Sequence, residues 1–151
     1  MNYVTLDTTA LAKGIFSPRR RKKDSIYGEQ FRIYTIAKSI IKDVEDKNSI
    51  MNIPSAAIVE IAAVGARLTG KDEIGIQASD YVKAHGNIVY DADFLNEAVD
   101  MAVKTKISGF DNLFIACAKF TNSVLITDDR KMHEAAVKVG VKSKLLREMG
   151  D

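Results

Sequence analysis

A three-layer α/β/α fold around a central, mostly parallel sheet is what this sequence predicts, and two observations predict it. Short apolar runs alternate along the chain with longer stretches whose apolar residues recur at helical spacing. Acidic residues then follow several of the apolar runs, as at Asp7 and Asp129. In parallel sheets ligands bind beyond the carboxyl ends of the strands, so acids there stand where chemistry is done.

The elements follow in order. Residues 3–6 form a first strand, and residues 8–15 a short helix or turn. Ser17, Pro18 and the basic residues after them make a loop. Residues 29–46 carry Phe31, Tyr34, Ala37, Ile40, Ile41 and Val44 at helical spacing. Residues 50–53 are a second strand. Pro54 and Ser55 open a helix that runs to about Leu68, and Gly70 stops it. Residues 72–85 form another helix, closed by Gly86, and residues 88–90 a third strand.

Residues 93–104 are amphipathic, with Leu95, Ala98, Val99, Ala102 and Val103 on one face and Asp93 as the expected N-cap. Residues 111–120 are apolar nearly all round, which predicts a buried central helix. Residues 123–127 are a fourth strand and residues 132–139 a helix closed by Gly140. Residues 141–146 fit either a last strand or a helical tail.

The chain has 151 residues, of which 46% are apolar, enough for one domain spanning 1–151 with a hydrophobic core. The single cysteine, Cys117, lies inside the apolar run 113–118, so an intrachain disulfide is excluded and buried packing is expected. The N-terminus lacks the pattern of a signal peptide and no run is long enough to span a membrane, so a cytoplasmic location is expected. Net charge is +2, from 22 basic and 20 acidic residues. Arg19, Arg20, Arg21, Lys22 and Lys23 form one run, and the rest of the chain is left mildly acidic. Such a run, with Lys13 nearby, suits a nucleic-acid backbone; otherwise it is a solvated loop.

Four acids stand out. Asp7 closes the first strand, where it also fits an N-cap. Glu60 sits among Ala56, Ala57, Ile58, Val59, Ile61, Ala62, Ala63 and Val64, where a lone carboxylate is costly to bury. Asp111 starts the buried helix, where the helix dipole favours an acid. Asp128 and Asp129 follow the fourth strand: one caps the next helix and the other is left for a metal. Asp91 and Asp93 read as structural, and His85 and His133 as peripheral. A fold that gathers Asp7, Glu60, Asp111 and Asp129 crowds negative charge that only a cation or retained protons make tolerable. Oxygen donors point to a hard divalent ion, and hence to chemistry on phosphates.

At this point the chain resembles PIN-domain ribonucleases, including the toxin subunits of VapC-type toxin–antitoxin pairs. The matching pieces are Val4-Thr5-Leu6-Asp7-Thr8-Thr9, Ser55-Ala56-Ala57-Ile58-Val59-Glu60, Gly109-Phe110-Asp111-Asn112-Leu113-Phe114-Ile115-Ala116-Cys117-Ala118, and Leu125-Ile126-Thr127-Asp128-Asp129. They span nearly the whole chain in the family's order. The resemblance implies an endoribonuclease of single-stranded RNA, dependent on Mg²⁺ or Mn²⁺, with Asp7, Glu60, Asp111 and Asp129 as its acidic quartet. Asp7 and Asp111 would be the direct ligands. Thr9, Thr127 and Asp128 would be polar helpers. RNA is the implied partner, along with an antitoxin protein and a homodimer or higher homo-oligomer. The basic insertion 17–23 departs from compact toxins, which have a shorter link there.

Two other classes compete. A phospho-receiver module also uses strand-end acids, but it needs an acidic pair near the first strand, where Asp7 stands alone. A non-catalytic nucleic-acid-binding or scaffold domain would use the same acids as caps and surface charges.

Overall fold

The computed structural model describes residues 1–150. Among them, five strands and seven α-helices alternate. The strands are β1 (Asn2–Leu6), β2 (Ser49–Pro54), β3 (Asn87–Val89), β4 (Val124–Thr127) and β5 (Ser143–Leu145). They form one sheet in the order β3-β2-β1-β4-β5, and every pairing is parallel. The helices α1 (Thr8–Ile15), α2 (Ser25–Glu45), α3 (Ala56–Thr69), α4 (Asp72–His85), α5 (Leu95–Thr105), α6 (Gly109–Thr121) and α7 (Arg130–Lys138) complete a three-layer α/β/α fold. No helix is long and apolar enough to cross a membrane among the described residues.

The strand order places the site. The chain lays down β1, β2 and β3 outward in one direction, then returns to lay β4 and β5 on the other side of β1. The reversal falls between β1 and β4, and crevices at such switch points are where open α/β sheets hold ligands. The register Leu6↔Ile126 makes Asp7 and Thr127 the next residues on, side by side at that crevice.

The predicted elements are present, with informative shifts. The long helix α2 starts at Ser25 rather than residue 29, because Asp24 caps it by accepting from the Tyr27 amide. The undecided tail is strand β5 followed by a 3-10 turn, Leu146–Glu148. Asp93 does not cap α5: it lies in a 3-10 turn, Asp91–Phe94, and Phe94 holds the N-cap position without a side-chain bond. The apolar stripe of α5 is turned the other way in part. Ala98 and Met101 are buried, while Leu95, Val99 and Val103 are exposed.

Helix α6 runs through the core with Phe114, Ile115, Ala116, Cys117 and Ala118 buried, as its all-round apolarity predicts. Burial pushes the Cys117 thiol up to about 12, so it is a packing residue and a poor nucleophile.

Helix α3, which carries Glu60, is pinned by a close crossing with α4. A Cβ on Gly75 would lie 2.4 Å from the Ala62 carbonyl oxygen, and one on Gly65 would lie 3.1 Å from Gly75 Cα. Only hydrogen fits between these backbones. Gly70 ends α3 at φ +69, which suits glycine. Gly75→Ala is expected to destabilise the protein by about 1–3 kcal/mol in urea unfolding. Gly28→Ala, in open space on α2, is expected to stabilise it by about 0.5–1 kcal/mol.

Candidate active site

Asp7 is the centre of the crevice. It follows β1, caps α1, and is 1% exposed. Its carboxylate accepts from the Ala10 amide at 2.9 Å, from Thr9 Oγ1 at 2.8 and 2.9 Å, and from Thr127 Oγ1 at 2.6 Å. Each threonine hydroxyl also takes an amide hydrogen: Asp128 N–H donates to Thr9 Oγ1 and Asp129 N–H donates to Thr127 Oγ1, both at 3.0 Å. Amides can only donate, so the hydroxyl hydrogens are free to point at Asp7. The two threonines therefore lock the carboxylate across the β1–β4 seam. They orient the acid, and their hydrogens are committed to it.

Burial pushes the Asp7 carboxyl up to about 6, against the hydrogen bonds of Thr127, Ala10 and Thr9, and the charge of Asp129 adds to the rise. Asp129 caps α7, with Oδ1 accepting from the Lys131 and Met132 amides at 2.9 and 3.2 Å.

The second acidic pair comes from helices. Glu60 lies in the fifth position of α3, and burial pushes its carboxyl up, with the charge of Asp111 adding to the rise. Thr8 is near enough to offset part of that rise. Even so, neither Thr8 Oγ1 nor the buried Glu60 Oε1 has a partner of hydrogen-bonding geometry. A mid-helix acid has no free amide to accept from, which is why Glu60 Oε1 lacks a partner while the Asp7 carboxylate has several. Asp111 sits half-buried in the first turn of α6, where Ser108 is the cap.

The four acids thus form two electrostatically linked pairs, Asp7 with Asp129 and Glu60 with Asp111. They do not form a ready-made cage: no three His, Cys, Asp or Glu side chains converge at metal-holding distance among the described residues. Mg²⁺ keeps several waters and binds through few carboxylates, so an all-oxygen donor set with one orphaned buried oxygen fits a hydrated hard dication. It does not fit a stripped ion held by four side chains.

One expectation is corrected. Asp128 is not a spare acid beside Asp129. Its side chain is 4% exposed and is taken by Arg147, with Nε donating to Oδ1 and a terminal nitrogen to Oδ2, both at 3.1 Å. Lys13 Nζ stands 4.0 Å from the same carboxylate. A buried carboxylate needs such a partner, so with Asp129 as the helix cap neither acid of the pair is left without a structural role.

The basic run is also divided. Arg20 grips the Asp24 carboxylate with bonds of 2.9 and 2.6 Å, and Lys23 lies 3.7 Å above the Tyr27 ring. Arg19, Arg21 and Lys22 are exposed. The histidines lie elsewhere: His133 bonds Ser143 Oγ at 2.8 Å and His85 packs on Tyr81. The hollow of about 430 Å³ between α2 and α4, lined by Phe16, Tyr34, Ile41, Ile74 and Tyr81, includes none of the four acids. Arg147 escaped sequence reading because it reaches Asp128 from a different strand end, with no local pattern to mark it.

Solved structures share this architecture. The chain is 16% identical to VapBC2 from Rickettsia felis, solved bound to a DNA fragment from their promoter, with a TM-score of 0.63 covering 94% of this chain and 97% of that one. It is 15% identical to PAE2754 from Pyrobaculum aerophilum, with a TM-score of 0.60 covering 96% and 84%. It is 14% identical to FitAcB from Neisseria gonorrhoeae, with a TM-score of 0.61 covering 97% and 99%. At these identities the likeness is one of fold. No curated protein sequence matches the chain. The PIN domain family profile matches residues 4–138, across β1 and all but the last elements. With that match over most of its length, the chain belongs to the PIN domain family, whose members are generally nucleases.

Proposed function

We propose that this chain is a Mg²⁺- or Mn²⁺-dependent endoribonuclease that hydrolyses single-stranded RNA, acting as one PIN-like domain. The observation that carries the reading is Asp7, buried at the β1–β4 switch point and held by Thr9 and Thr127, together with the buried Glu60 Oε1 that has no partner. Asp7 and Asp111 would hold the ion, with Glu60 and Asp129 completing the shell directly or through water. The bound ion supplies a water of lowered pKa and neutralises charge on the phosphate. Thr9 and Thr127 keep the Asp7 carboxylate in one orientation, so the ligand is positioned before the ion arrives. The likeness to VapBC2 and FitAcB supports a toxin role with an antitoxin partner, and a cytoplasmic location and self-association belong to the same proposal.

The alternative reading is a non-catalytic nucleic-acid-binding domain, in which Asp129 and Asp7 serve as the helix caps they form. Millimolar Mn²⁺ separates the two. It is expected to raise the thermal midpoint of the wild type, and no rise favours the inert domain.

Cleavage of assorted RNAs, with Mn²⁺ and with EDTA, tests the site itself. Asp7→Asn and Asp111→Asn are each expected to lower metal-dependent cleavage by about a hundredfold or more, since metal charge stabilisation is worth several kcal/mol. Full activity in either variant removes the active site.

Asp7 also sets a pH dependence. Its folded value, about 6, lies above its ordinary 3.8. Between these values the native state holds a proton that the unfolded chain has lost, so stability falls as pH rises through the window. The loss is up to about 3 kcal/mol. Asp7→Asn is expected to flatten that fall in unfolding curves taken from pH 4 to 7.5. In the wild type, Mn²⁺ should restore stability at pH 7.5 and fail to do so at pH 5, where the proton competes.

In the basic loop, neutralising Arg19, Arg21 and Lys22 together should match neutralising all five residues, because Arg20 and Lys23 already have partners. The log–log salt slope of RNA binding is expected to flatten by about 2, with cleavage chemistry retained. An unchanged slope removes the loop from the RNA path.

A further inference from the structure

The crevice poses an electrostatic problem. RNA must bring a polyanion to a site built from four carboxylates. Something close by must offset that repulsion, and the exposed part of the basic run lies in the loop between α1 and α2.

The Asp128 cluster has the required charge. Asp128 is buried and brings one negative charge, while Arg147 and Lys13 bring two positive charges to it. Their side chains are 49% and 44% exposed, so each keeps donors facing solvent while one face is held. The cluster therefore presents a surplus positive charge at the surface.

Its position is set from both sides. The Thr127↔Leu145 pairing of β4 with β5 places Arg147 two residues beyond the pair, level with the end of β4. Arg32 on α2 donates to the Arg147 carbonyl at 2.7 Å, and Arg130 pairs with Glu148 at 2.9 Å, so the turn that carries Arg147 is tied down. The Asp128 amide donates to Thr9 Oγ1, and Thr9 donates to Asp7, so the cations stand a short hydrogen-bonded path from the central acid. On the other side, Lys13 and Arg19 line one hollow of about 290 Å³ beside α1. Lys13 thus shares a hollow with Arg19 and a carboxylate with Arg147.

We propose that Arg147 and Lys13, positioned by the buried Asp128, form a contact site for the phosphate backbone of single-stranded RNA, continuous with Arg19. The proposal rests on the ribonuclease reading above. Arg147 is thereby a substrate-binding residue and Asp128 a positioning residue.

The test uses the full chain in EDTA, so that nothing is cleaved, and a short fluorescein-labelled single-stranded RNA of mixed sequence read by anisotropy across a salt series. Arg147→Gln is expected to weaken binding by up to about fivefold. It should also flatten the log–log salt slope by about 0.7, the loss of one single-strand phosphate contact. Arg147→Lys should keep the slope. Lys13→Gln, at a half-exposed position on α1, should flatten it by a similar amount and stands in if Arg147→Gln does not fold.

A purely structural clamp gives a different pattern: Arg147→Gln lowers the thermal midpoint while affinity and salt slope stay at wild-type values. That pattern, or an unchanged slope in Lys13→Gln, overturns the proposal and leaves the ribonuclease reading standing. A wild-type chain that binds no single-stranded RNA in EDTA overturns the proposal, and one that also cleaves none with Mn²⁺ overturns the ribonuclease reading.

Discussion

Asp7 is buried at the seam between the first and fourth strands, and the rest of the site is organised around keeping its carboxylate there. Removing a carboxylate from water is expensive unless donors replace the lost hydration. Here the replacement comes from an amide at the start of α1 and from two hydroxyls, one on each side of the seam. Those hydroxyls are in turn held by the amides of Asp128 and Asp129. The end of β4 is thus wired to the end of β1 through side chains, beyond the last backbone bond from Asp7 N–H to the Ile126 carbonyl at 3.2 Å. Desolvation still outweighs the donors, so the carboxyl is pushed up to about 6.

The other acids differ in how far the fold compensates them. Asp129 and Asp111 sit at helix N-termini, where exposed amides and the helix dipole favour negative charge. Glu60 is inside α3 and has no such support, so it carries a buried oxygen without a partner. Its helix cannot draw back, because the glycine crossing with α4 holds the two backbones together. Glu60 is thus the least compensated of the four acids, and it is carried on a rigid element.

Charge of the opposite sign is distributed with the same selectivity. Part of the basic run is consumed by local structure, through the grip of Arg20 on the cap of α2 and the placement of Lys23 over Tyr27. The remaining cations extend from Arg19 through Lys13 to Arg147, anchored by one buried carboxylate. Exposed positive charge is thus kept next to the buried acid that follows β4.

Much of this was legible in the residues alone. The alternation of apolar runs with amphipathic stretches determined the layered fold, because strand and helix impose different periods on the same hydrophobic demand. Gly70 marked the end of α3, and the position of Glu60 among aliphatic neighbours flagged an acid in an awkward place. The N-cap of α2 at Asp24 is a local signal, an acid accepting from the amide three residues on, whereas the inverted stripe of α5 was not legible because it depends on what packs alongside. The division of labour between adjacent Asp128 and Asp129 was decided only by tertiary structure. Two neighbouring acids look alike in a sequence, and they part ways because successive residues after a strand face different surroundings. One meets the amides of α7 and the other a guanidinium that arrives from the neighbouring strand. Local pattern is written in sequence spacing; a charge partner 19 residues away is chosen by the sheet register that brings it close.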